Sequence, residues 1–191
     1  MRATMSLTAA LLLFACLAAC SANNAQPTVL APSTPSPADT SADPSASTEV
    51  DPPVMPPEAD AQTAAGAMAF VRHYFAVVDY AYATGDTTPL AAVSDPECSP
   101  CSGIKDMVDA AVMAGGSWET EPTTVTSVSV PEGEPMGAVN VLLTYSSRAA
   151  RELSATGGEV RTFPALLDQA VKLVLVPKGA SWLMFDYGDV V

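Results

Sequence analysis

Between Ala69 and Thr84 the apolar residues recur at helical spacing, and no other feature limits the possible folds of this chain so strongly. At about 100° per residue, Phe70, Val71, Tyr74, Phe75, Val77, Val78, Ala81 and Tyr82 fall on one broad arc. Arg72, Asp79 and Ala83 fall opposite, and His73 and Tyr80 stack along one edge of the arc. So wide a stripe requires further layers to cover it. Gly85 follows as a helix-terminating residue suited to a left-handed turn. Asp86 or Thr87 is then predicted to cap a short helix around Pro89 to Ser94. A further helix is predicted over Ile104 to Ala114, with Ile104, Met107, Val108 and Ala111 on one side and Gly115-Gly116 ending it.

Beyond the two glycines the period changes to two, and β-branched residues become frequent. Trp118 to Val130 reads as one strand or a bulged pair. Val139, Val141, Leu143 and Tyr145 alternate with Asn140, Leu142 and Thr144 in the next. Ser146 to Gly158 reads as a polar connection, and Val160 to Phe163 as a short strand. Gln169 to Val176 and Ser181 to Tyr187 form a final hairpin around Pro177-Lys178-Gly179. Helices first and strands afterwards predict an α+β domain, its N-terminal helices packed on a curved antiparallel sheet of about four or five strands.

What precedes the helix has a different character. Arg2 followed by an apolar run from Leu7 to Ala19 fits an export signal and is too short to span a membrane. It ends in Leu17-Ala18-Ala19-Cys20, the pattern of a lipoprotein signal site, in which the Cys20 thiol takes a diacylglyceryl group. Ser21 to Asp60 carries nine prolines and six acidic residues with no Lys or Arg, a composition that cannot bury enough apolar surface to fold. The expected organisation is a signal over residues 1–19, a lipidated cysteine and disordered tether over 20–60, and one globular domain over 61–191. The expected location is the extracytoplasmic face of a cell membrane, reached through the lipid.

The formal net charge of −13 repels nucleic acid, which is set aside as a partner. Of the four cysteines, Cys16 leaves with the signal and Cys20 is consumed by lipid. Cys98 and Cys101 remain, in a compartment where thiols tend to pair.

The run FVRHYFAVVDYAYATGDTTPL, then SDPECSPC, then Gly115-Gly116 before Trp118, resembles a family of actinobacterial lipoproteins of unknown function. That resemblance covers about residues 60–190 and implies a nuclear transport factor 2-like cone, in which helices are clasped by a curved sheet around a pocket. It implies no particular chemistry.

Cys98-Ser99-Pro100-Cys101 has intrinsic reactivity, since a thiol near a helix N-terminus is acidified. Asp95 and Glu97 ahead of it work the other way, and no βαβ scaffold surrounds it. A structural disulfide is the expected state, with thiol–disulfide exchange and metal binding as the rivals. His73 is the sole histidine and no nucleophile elbow accompanies it, so a packed residue is expected before a catalytic one. Asp186 shares strand parity with Trp182 and Met184 and is the one acid suspected of facing a cavity, against the preferred reading of an edge carboxylate near the C-terminus. Asp186, His73 and Tyr80 are therefore the weak catalytic candidates of a small isomerase or hydrolase. No cofactor or metal is expected, and the preferred reading is a non-catalytic module for an apolar small ligand or an envelope protein.

Overall fold

The computed structural model describes residues 50–133 and 137–189. The expected signal segment, Cys20 and the tether up to Glu49 lie outside the described residues. The packed body starts earlier than Ala61. Met55 packs against the core, Pro57–Asp60 form a 3-10 turn, and Ala59 within it is fully buried. The Trp182 indole N–H donates to the Ala61 carbonyl at 3.1 Å, and the Ser181 hydroxyl to that of Ala59 at 3.2 Å. These two bonds tie the end of the expected tether to the final hairpin.

Helix α1 spans Ala64–Thr84. The Thr63 hydroxyl accepts from the Gly66 N–H at its start, satisfying one of the free amides of the first turn. At its end Gly85 takes a φ of 77° and donates back to the Ala81 carbonyl, a left-handed exit that most side chains resist. The expected arc is inside: Phe70, Val71, Tyr74, Val77, Val78 and Ala81 are all buried, and His73 joins them. Helix α2 (Thr88–Val93) is capped by Asp86, whose carboxylate accepts from the Thr88 N–H at 2.9 Å. Thr87 instead donates its hydroxyl to Asp109 at 2.8 Å. Helix α3 (Ser99–Met113) starts five residues before the expected Ile104, with Cys98 at its N-cap.

Among the described residues seven strands follow, in two antiparallel sheets where a single sheet was expected. Strands β2 (Thr124–Ser129), β3 (Val139–Ser147), β6 (Leu166–Lys178) and β7 (Ser181–Asp189) form one sheet in the order β2-β3-β6-β7. Strands β1 (Ser117–Glu119), β4 (Ala150–Leu153) and β5 (Glu159–Phe163) form the other, in the order β1-β4-β5. Trp118 to Val130 is thus neither one strand nor a bulged pair: it holds two strands, β1 and β2, that serve different sheets. Ser146 to Gly158 is not wholly a connection either, because β4 pairs on both of its edges there. The four-stranded sheet turns Val141, Leu143, Val171, Leu173, Leu175, Trp182 and Met184 onto the buried face of α1. Val108, Ala111 and Trp118 make a smaller buried cluster at the other sheet.

Strand β7 carries a bulge that matters for the site. Val174 pairs with Asp186, but the next residue, Leu175, pairs with Met184, so Phe185 is an extra residue. Each extra residue reverses the alternation of faces beyond it. Met184 and Tyr187 consequently share the inner face, and Asp186 is exposed. That single bulge takes Asp186 off the face of Trp182 and Met184, so the cavity-facing alternative fails and the preferred reading of a solvent-side carboxylate stands.

Candidate functional site

One helix stripe builds the inner wall of a cleft. Phe75, Val78, Asp79 and Tyr82 are spaced three and four apart on α1 and line a cavity of about 230 Å³ between that helix, α3 and the two sheets. Ile104 and Met107 enter it from α3, Trp118 from β1, Tyr145 from β3, Phe163 from β5 and Tyr187 from β7. Aromatic rings meet edge to face or tilted around it. Tyr82 and Trp118 have centroids 5.2 Å apart, Phe75 and Tyr145 5.4 Å, and Trp118 and Phe163 5.8 Å. Such offset pairs add stability beyond their buried area and fix the shape of the wall.

Asp79 is the acid of this cleft, although helical phase alone set it on the outward side of α1. It lies 40° from Phe75 on the helix wheel, by the 100° step, and the second sheet with its β1–β2 link covers that flank. Thr123 holds it from both donors: its N–H to one carboxylate oxygen at 2.9 Å and its hydroxyl to the other at 2.8 Å. Burial raises the Asp79 pKa above the ordinary carboxylate value, and the two Thr123 bonds oppose that rise. Burial likewise pushes the Tyr82, Tyr145 and Tyr187 phenols upward. They are neutral hydroxyls at any physiological pH.

Arginines stand at the rim, each with its own acid. Arg161 bonds Glu152 at 2.5 and 2.9 Å, and its guanidinium lies 5.8 Å from the Trp118 ring centroid and 5.7 Å from that of Phe163. Glu152 is buried, so this pair is the firm one. Arg148 pairs with Glu121 at 3.4 Å, and Arg151 with Glu119, both in exposed positions that contribute little to stability.

The residues expected to carry chemistry do not converge on the cleft. His73 is buried on α1, where desolvation lowers its pKa, and it does not line the cavity. Tyr80 donates its hydroxyl to Asp86 at 3.4 Å near the helix end. Asp186 is exposed on β7. Among the described residues, no three His, Cys, Asp or Glu side chains gather as a metal site would require. A larger hollow of about 480 Å³ opens beside Gln62, Val130, Gly133, Gly137 and Trp182.

Cys98 and Cys101 are joined as a disulfide, with Cα atoms 5.3 Å apart and both residues almost fully buried. The Cys101 N–H bonds the Cys98 sulfur at 3.2 Å, so the bridge also caps α3. Its neighbour Asp95 donates its N–H to the Met184 carbonyl at 2.8 Å, which anchors this turn to β7. Burial of both sulfurs speaks against an exchange reaction, which needs an accessible thiolate. Replacing both cysteines by alanine is expected to lower stability by about 2 kcal/mol, the loop-closure value for so short a ring. A urea midpoint unchanged by the double replacement would contradict that role.

Compared with known proteins, residues 36–175 match the model of a family of unknown function (DUF6318). No curated protein matches the chain. Among solved structures it is similar to the intermembrane space region of chloroplast protein ARC6, at 14% identity over 66% of this chain and 95% of that one, with a TM-score of 0.47. It is also similar to Aln2 from a Streptomyces species, at 16% identity over 64% of this chain and 88% of that one, with a TM-score of 0.40.

Proposed function

The chain belongs to the DUF6318 family of unknown function, and we propose that its folded part is a non-catalytic binding domain held at the extracytoplasmic face of a cell membrane. The observation that carries the binding half is the cleft: an aromatic wall around one carboxylate, in a cavity open enough to admit a small molecule. Sequence carries the other half. The Leu17 to Cys20 site and the Pro-rich acidic segment after it favour lipidation at Cys20 and an extended tether. The resemblance to actinobacterial lipoproteins fits that location, and helices followed by antiparallel strands fit a nuclear transport factor 2-like cone. Partners on this reading are the membrane, through the lipid, and a small ligand with an apolar body or an envelope protein.

A small pocket enzyme is the second reading, and Asp79 favours it, because a half-buried carboxylate in an apolar cleft is how a general base is arranged. The binding reading is preferred for two reasons. Both Asp79 oxygens already accept from Thr123, and neither His73 nor Asp186 lies in the cleft to act with it.

Two arms test the proposal on the full chain. Cys20→Ala is expected to lose the lipid mass and leave the detergent-soluble membrane fraction, whereas unchanged mass and partition would remove the anchor. Thermal melts with small neutral, cationic and anionic aromatic compounds are expected to show stabilisation by at least one class. Tyr145→Ala, in the cleft wall beside Phe75, is expected to weaken that effect. No shift with any class would remove the binding domain.

A further inference from the structure

Resting on that binding reading, we infer that the cleft selects a small organic cation with an aromatic or apolar body, its positive group seated against the Asp79 carboxylate. Charge accounting around the cavity points there. The arginines nearby have acids of their own: Arg161 pairs with Glu152, Arg151 with Glu119, and Arg148, which also lines the cavity, with Glu121 through an exposed contact. Asp79 has only the two neutral donors of Thr123, and no cation lies within ion-pair distance of it among the described residues. A carboxylate drawn partly out of water without an opposite charge is costly, and a ligand cation recovers that cost on binding.

The surrounding rings act in the same direction. Phe75, Tyr82, Tyr145 and Tyr187 line the cavity together with Asp79, and aromatic rings attract cations through their negative faces. The Trp118 and Phe163 end is already taken by the protein's own Arg161, which leaves the Asp79 end for a ligand. Size limits the choice further. A cavity of about 230 Å³ falls below the ~300–1,000 Å³ of drug-sized sites, so the occupant is the size of a phenylalkylamine. The net charge of −13 draws cations toward the surface and repels anions.

Isothermal titration of the full chain with phenethylammonium, its neutral alcohol 2-phenylethanol and the anion 3-phenylpropionate tests the assignment. The cation is expected to bind about tenfold or more tighter than the alcohol, as hydrogen bonds between charged groups do, with the anion weakest. Asp79→Asn is expected to abolish that preference, bringing the cation's affinity down to about that of the alcohol. Thr123→Val, which keeps the carboxylate, is expected to retain it. Should Asp79→Asn fail to fold, the ligand series on the unaltered chain decides alone. Equal affinity for cation and alcohol would overturn the charge assignment and leave the binding domain standing. Absence of binding by all three would overturn both.

Discussion

Phe70→Ala is expected to destabilise the domain by about 3–5 kcal/mol, the range for deleting a fully buried aromatic side chain. Phe70 has no solvent exposure and sits in the second turn of α1, in the same cluster as Val141, Leu143, Leu173 and Leu175 of the four-stranded sheet. The helix is covered by strands on that side, so the emptied volume cannot collapse without moving the sheet. Against a total stability of roughly 5–15 kcal/mol, this one change removes about a fifth of it or more. Arg72→Ala, two residues on and exposed, is the internal comparison and is expected to stay within about 0.5 kcal/mol of the parent. Urea unfolding of both variants measures the difference. A Phe70→Ala loss below about 1 kcal/mol would mean that α1 does not present this face to the sheet.

That face was legible because a 21-residue helix averages its signal over many turns. One misplaced polar residue does not obscure an arc that wide, and Gly85 marks its end through backbone chemistry that few other residues supply. Strands β3 and β6 were legible for a related reason: alternation survives where one face meets a core and the other meets water, as with Val171 and Leu173 inside and Lys172 outside. Strand β4 had no such contrast. Its sequence Ala-Arg-Glu-Leu carries charge at both central positions, and Glu152 is buried only because Arg161 on the neighbouring strand neutralises it. A pairing that depends on a partner nine residues away leaves no local pattern.

The candidate site was harder to read, and the two acids show why. Asp186 was assigned by strand parity, which holds only while the pairing is regular, and the extra residue at Phe185 reversed it. Helix phase alone sets Asp79 opposite the apolar arc of α1. Its flank became part of a cleft once β1, β4 and β5 formed a second sheet and the β1–β2 link brought Thr123 against the carboxylate. Both cases have one origin: helix phase and strand parity describe an element alone, whereas a cleft is made where elements meet.

Gly116→Ala probes that meeting point, and its expected cost is about 3 kcal/mol, the upper part of the usual range for forcing atoms into filled space. Gly115 and Gly116 close α3 in a paired motif. The Gly116 N–H bonds the Ala111 carbonyl at 2.8 Å and the Gly115 N–H that of Val112 at 2.9 Å, with Gly115 at a φ of 72°. The chain then enters β1 directly, where Ser117 pairs with Leu153 of β4. A Cβ at position 116 would stand 2.2 Å from the Leu153 carbonyl oxygen and 3.3 Å from that of Ala111. Both obstacles are backbone, so no side-chain rotation relieves them, and β4 must draw away from the corner. Trp118, two residues later, would shift with it and disturb the Tyr82 contact in the cleft wall. Gly103→Ala gives the opposite sign: an added Cβ there meets nothing within 4 Å in the interior of α3, and the helix should gain about 0.5–1 kcal/mol. Thermal melts of the two variants side by side, read with tryptophan fluorescence, measure both. If Gly116→Ala melts with the parent, the close approach of the α3–β1 corner to β4 is wrong, and with it the position of Trp118 in the cleft.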